Sequence, residues 1–142
     1  MNINTDYINK LRNSGLRPTK QRLKICEVLF DTDKTFHFTI NDLAKIISEK
    51  LSEKISLATV YNTIHAFKKK GYLKEISINS DKSYFDTNIT NHHHFFDEDT
   101  NELIDCDDQV IETPNIKKNI TGKKINSVEV LIKVATDNQN QN

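Results

Sequence analysis

The apolar residues of this chain hold helical spacing up to Gly71 and change to alternation directly after it. That change limits the fold more than any other feature. Apolar side chains three and four apart share one face of a helix, whereas alternating ones share one face of a strand, and neither pattern serves the other element. In "NTDYINKLRNSG", Tyr7, Ile8 and Leu11 form the first helical stripe, and Gly15 stops it. "PTKQRLKICEVLF" starts with Pro18, suited to the first position of a helix, and Leu23, Cys26, Leu29 and Phe30 follow as its apolar face. "FTINDLAKIISEKL" opens with Thr39 and Asp42 in a capping pattern and buries Leu43, Ile46, Ile47 and Leu51. In "SLATVYNTIHAFKKKG", Ser56 is the cap, Leu57, Val60, Ile64 and Phe67 face inward, and Gly71 ends the helix. Beyond it, "YLKEISI" and "KSYFDT" alternate on either side of "NSD", a hairpin signal. Residues 5–87 therefore predict four helices and a hairpin. Three helices followed by a two-stranded ribbon form a winged helix, here with one extra helix in front. Such a fold offers its third core helix to the major groove of DNA.

The remainder carries a weaker signal. "HHHFF", "ELID" and "SVEVLIKVA" read as strands, a short helix is expected around 116–120, and "TDNQNQN" reads as a disordered tail. With 36% hydrophobic residues and a mean hydropathy of −0.62, the core is modest, which favours oligomerisation or a bound metal as extra support. No apolar run approaches the roughly 20 residues of a membrane span. "MNINTDYINK" has no charged segment leading into an apolar one, so no secretory signal is expected and the reading is a cytoplasmic protein with reduced thiols. Cys26 and Cys106 are the two cysteines and form no CxxC, which argues against a disulfide framework and against a structural thiolate zinc site.

Charge is distributed unevenly behind a net value of zero. Residues 1–78 hold 14 Lys and Arg against 8 acids, a net of +6, and residues 79–142 hold 6 against 12, a net of −6. A basic half suits a polyanion and an acidic half suits cations. On the helix over 56–71 the outward residues are Ser56, Thr59, Tyr61, Asn62, His65 and Lys68 to Lys70. Hydroxyl, amide and phenol groups near its start can meet base edges, while the lysines, with Arg12, Arg17, Lys20 and Arg22, can neutralise phosphates. A solvated polar face on a helical bundle has the same composition. In "TNHHHFFDEDTNELID", His92 and His94 are two apart and share one side of a strand, with Asp105 available from a neighbouring strand.

"GLRPTKQR", "SLATVYNTIHAF" and "HHHFFDEDTNELID", in that order, resemble the ferric uptake regulator family over about residues 10–134. The resemblance implies an α+β chain. Its winged-helix DNA-binding domain is expected over residues 1–88, a small α/β dimerisation and sensing domain over 89–134, and a tail over 135–142. Members are dimeric, metal-responsive transcription regulators that bind palindromic double-stranded operators, with no membrane partner. By position, Tyr61 and Asn62 fall where the family reads bases and Arg17 where it inserts into the minor groove; Ser56, Thr59 and Lys68 are the further DNA-binding candidates. His37, Asp86, His92, His94 and Asp105 fall on the family's sensory site at the hinge between domains. Three imidazoles with two carboxylates suit Fe²⁺, Mn²⁺ or Zn²⁺. A second family site falls on Asn91, His93, Glu112 and Glu129, of which Asn91 is a poor ligand.

Two departures from the family pattern bear on function. Asp97 and Thr100 stand where most members place the first of two CxxC pairs, and no later pair exists, so the structural four-cysteine zinc is absent. Asn62 stands where many members carry arginine. "VYNTIHAF", "NHHHFF" and "LID" without those cysteines are similar to the iron response regulator branch, in which iron or haem status controls DNA binding. Haem is thus the competing cofactor, although Cys26 is followed by Glu27 and the short Cys-Pro haem motif is missing. The alternatives are a peroxide sensor or another metal-responsive repressor of the family. From other classes come a metallohydrolase, for which no HExxH or glycine-rich loop is present, and a metal-storage module, which has no use for a lysine-studded helix.

Overall fold

A computed structural model describes residues 3–107, 109–112 and 114–138 of the chain. The chain divides into two compact units, with the boundary after Ile89. The first contains α1 (Ile3–Asn13), α2 (Lys20–Phe30), β1 (His37–Phe38), α3 (Ile40–Leu51), α4 (Leu57–Lys70), β2 (Lys74–Asn79) and β3 (Lys82–Asp86). Its three strands are antiparallel in the order β1-β3-β2. Helices followed by a β2–β3 hairpin make this unit a winged helix.

Local capping fixes where the helices begin. Thr39 accepts the Asp42 N–H at 3.1 Å and Ser56 accepts the Thr59 N–H at 3.1 Å, which satisfies donors that the first helical turn leaves without partners. α2 starts later than expected. Thr19, not Pro18, ends the preceding segment, and its hydroxyl accepts from the Arg22 N–H, so Lys20 is the first helical residue. Gly71 stops α4 in the left-handed conformation, φ 82°, with its N–H on the Lys68 carbonyl.

Leu11, Ile25, Leu29, Leu43, Ile47, Val60, Ile64 and Phe67 are buried in one core, and Phe67 packs its ring against Phe30 and Tyr72. Spacing places Leu57 in that core, but it is 53% exposed. Ile55 and Val60, the residue before the cap and the fourth of the helix, are both buried and form a hydrophobic staple, so the first turn of α4 projects beyond the core. Thr63 is buried instead, its hydroxyl satisfied by the Thr59 carbonyl at 2.8 Å. Lys10 places its ammonium 4.2 Å from the ring centres of both Phe30 and Tyr72, joining α1 to the end of α2 and the start of the hairpin.

Burial pushes the Cys26 thiol up to about 12, with the Lys10 ammonium opposing in part. In the unfolded chain a thiol ionises near 9.0, so the folded state holds this proton more tightly. The resulting stabilisation is complete below about 9 and is lost as pH rises toward 12. Urea midpoints of the wild type should therefore fall faster than those of Cys26→Ala over that window. Parallel pH profiles would show that the thiol is not shielded.

The second unit contains β4 (His93–Asp97), β5 (Glu102–Cys106) and β6 (Leu131–Val134) in the order β5-β4-β6, β4 antiparallel to β5 and parallel to β6. Phe96, Leu103 and Cys106 are buried in it. The strand expected over "SVEVLIKVA" narrows to Leu131–Val134. The helix expected around 116–120 does not form. One turn cannot repay helix nucleation, and Asn119 takes up the local backbone instead, accepting the Ile120 N–H and donating to the Lys123 carbonyl. Of the tail expected to be disordered, residues 135–138 are described and the Thr136 N–H donates to Asp99, while 139–142 lie outside the described residues.

Candidate functional site

In the first unit His37 stands on β1, paired in register with Asp86 at the end of β3. That register brings His37 Nε2 to 3.2 Å from Asp86 Oδ2. The Asp86 carboxylate is buried, and its other oxygen accepts the Asn88 N–H at 2.8 Å. Lys74 is the register partner of Asp86 on the other side. Burial lowers the pKa of its ammonium, and the charge of Asp86 opposes that shift.

In the second unit His94 pairs in register with Asp105, and His92 lies just before β4 on the same side. Their rings are 4.4 Å apart, and both Nε2 atoms face one carboxylate oxygen, Asp105 Oδ1, at 3.4 Å from His92 and 3.2 Å from His94. His92 Nδ1 lies 2.6 Å from the Thr90 carbonyl, which can only accept. Nδ1 therefore carries the proton, and in the neutral ring Nε2 presents a lone pair, the arrangement that orients a ligating imidazole. Both rings are largely buried and Asp105 is half exposed, so a convergent group of donors sits at the surface.

His93 projects to the opposite side of β4. Its Nδ1 accepts the Val130 N–H at 2.9 Å, which links β4 to the approach of β6. Glu112, Glu129 and Asn91 are exposed, and His93, Glu112 and Glu129 do not gather into a group of donors among the described residues. Cys106 is buried beside Asp105, with its thiol directed to the Asp107 carbonyl. Two cysteines, both free and buried, cannot supply a four-thiolate zinc site.

The nucleic-acid candidates separate by what they already contact. Ser56 and Thr59 are spent on capping α4, their hydroxyls 2.8 Å apart. Arg17, Tyr61 and Asn62 are exposed. Tyr61 packs against His65 with ring centres 4.1 Å apart and planes tilted by 39°, and His65 lies edge-on to Phe85 of β3. The Tyr61–His65 ridge divides two open grooves. One, of about 730 Å³, runs to the hairpin, and the other, of about 870 Å³, runs past Asn13 to Gly15 and Lys68 to Lys70. Lys68 is ion-paired with Glu75 of β2, a partner that sequence spacing did not reveal.

A winged helix with an amphipathic, lysine-ended third core helix, joined to a small sheet unit bearing imidazoles and carboxylates, defines a class of DNA-binding proteins with a cation-sensing module. Residues 13–134 match the ferric uptake regulator family, and the chain belongs to it. Members of this family are transcription regulators and not enzymes, which removes the metallohydrolase alternative. The chain is similar to the ferric uptake regulation protein of Vibrio parahaemolyticus, 36% identical over 109 residues, covering 76% of this chain and 72% of that one. It is similar to the peroxide-responsive repressor PerR of Staphylococcus epidermidis, 34% identical over 100 residues, 70% of this chain but 65% of the repressor's own length. Among solved structures, the ferric uptake regulator of Vibrio cholerae superposes with a TM-score of 0.68 at 29% identity, covering 91% of this chain and 98% of that one.

Proposed function

We propose that the protein is a dimeric transcription regulator whose binding to palindromic operator DNA is controlled by a divalent cation, iron foremost. The donors would be His37 and Asp86 of the first unit with His92, His94 and Asp105 of the second. The reading assigns DNA binding to residues 1–88 and dimerisation and sensing to 89–134. The observation that carries it is the convergence of two imidazole nitrogens on one Asp105 oxygen. A carboxylate and neutral imidazoles without thiolate suit Fe²⁺, Mn²⁺ and Zn²⁺, with geometry and availability deciding among them. The His37–Asp86 pair is a second such arrangement. A bound cation would supply a cross-link between donors of the two units, and it can shift DNA affinity only by binding one arrangement of the reading helices more tightly than another.

Both second-unit Nε2 atoms face a carboxylate, which favours a bare cation over haem, so assignment to the iron response regulator branch has the weaker support. A peroxide-responsive repressor is the second reading, favoured by the similarity to the staphylococcal repressor. Oxidation of a ligand histidine by peroxide in the Fe²⁺-loaded protein, seen as a 16 Da mass gain, separates it from a plain iron sensor.

Duplex binding measured with Mn²⁺ and with a chelator, across a salt series, tests the main reading. Contact with roughly 6–10 phosphates gives a steep fall of affinity with salt. Tyr61→Ala should cost about 1–3 kcal/mol on the preferred operator and little on arbitrary sequence. Equal loss on every sequence would remove Tyr61 from base reading, and a chain indifferent to duplex at low salt would end the regulator reading.

A further inference from the structure

Lys68, at the third position from the end of α4, is ion-paired with Glu75 of β2 at 2.5 Å. The second oxygen of the same carboxylate accepts the Ser83 hydroxyl of β3 at 2.8 Å. One carboxylate thus joins the reading helix to both strands of the hairpin. The Lys68 and Ser83 hydrogen bonds hold the Glu75 carboxyl below its ordinary range, against burial, so it is charged whenever DNA would be bound. Glu75 also lines the groove shared with Tyr61, His65 and Lys82. A fixed negative charge there repels phosphate, and Lys68 brings no net charge to the surface while the pair is closed. Among the described residues no such bond is found for Lys69 and Lys70, which line the other groove beside Lys68.

We propose that Glu75 is a specificity-determining residue: by holding Lys68 on the hairpin it withholds one cation from the DNA phosphates and keeps sequence-independent affinity low. This rests on the reading of α4 as the DNA-reading helix. Phosphate contacts attract every sequence equally, whereas base contacts discriminate, so removing one phosphate contact raises the share of affinity that depends on sequence. The same bond fixes the hairpin against α4, which keeps the Tyr61–His65 ridge and the hairpin in one arrangement.

The test compares wild type, Glu75→Gln, Lys68→Gln and the double variant, as full chains, on an arbitrary duplex and on the preferred operator between about 50 and 200 mM salt. Glu75→Gln should bind the arbitrary duplex more tightly, with a salt slope steeper by about 0.9, or about a threefold larger loss of affinity across that range. Its preference for the operator should fall. Lys68→Gln, an exposed change that does not threaten the fold, should leave the slope unaltered, and the double variant should return to the wild-type slope. A Lys68→Gln slope shallower by about 0.9 with Glu75 in place would overturn the proposal, because Lys68 would then be touching phosphate. So would a Glu75→Gln slope equal to wild type. If wild type bound no duplex at any salt, the DNA reading itself would fail and this inference with it.

Discussion

Replacing His92 and His94 together with alanine is expected to leave a folded chain whose DNA affinity no longer changes when Mn²⁺ or Fe²⁺ is added. The two rings supply both nitrogens facing Asp105 Oδ1, and neither belongs to the apolar core of the first unit. Loss of an outer-sphere partner alone costs about 10–100-fold in metal affinity, so loss of two donors should cost at least about 100-fold. Metal titration gives that number, and circular dichroism reports the fold. A variant that still answers to the cation with wild-type affinity would place the sensor elsewhere.

Phe67→Ala should destabilise the first unit by about 3–5 kcal/mol, roughly a fifth or more of what a domain of this size usually possesses. Phe67 has no exposed surface and touches Phe30 of α2 and Tyr72 at the start of the hairpin, so its loss opens a cavity where three elements meet. Leu57→Ser, nominally a core change in the same helix, should stay within about 0.5 kcal/mol because Leu57 already faces water. Urea unfolding distinguishes the two. Similar losses at both positions would mean that α4 is seated differently.

That contrast shows which parts of the molecule are legible in the amino-acid order. Thr39, Ser56 and Gly71 act within four residues of themselves, and the helix boundaries they announce are found where expected. The pairing of His92 and His94 on one side is equally local, because strand geometry fixes it. Leu57 misleads because spacing gives a direction from the helix axis but not how far along that axis the core extends. His37 acquires a strand only through Asp86, 49 positions away, and the Lys68–Glu75 bond exists only after the chain has turned at Gly71. Between Cys106 and Ser127 the chain has few apolar groups at any regular interval, and its one local signal, the short helix around 116–120, does not form.

The sheet of the second unit has an uneven wiring whose consequence is kinetic. β4 and β5 are joined by four residues, 98–101, whereas β4 and β6 meet only after the chain has travelled from Cys106 to Leu131. Short loops close in well under a microsecond and long ones carry a larger entropic barrier, so the β4–β5 hairpin forms first and β6 docks onto it. His94 and Asp105 both belong to that early hairpin. A nascent chain would bring His94 and Asp105 into register before its last strand is in place, and any divalent cation that bound the two at that stage would favour the closed hairpin over the open chain.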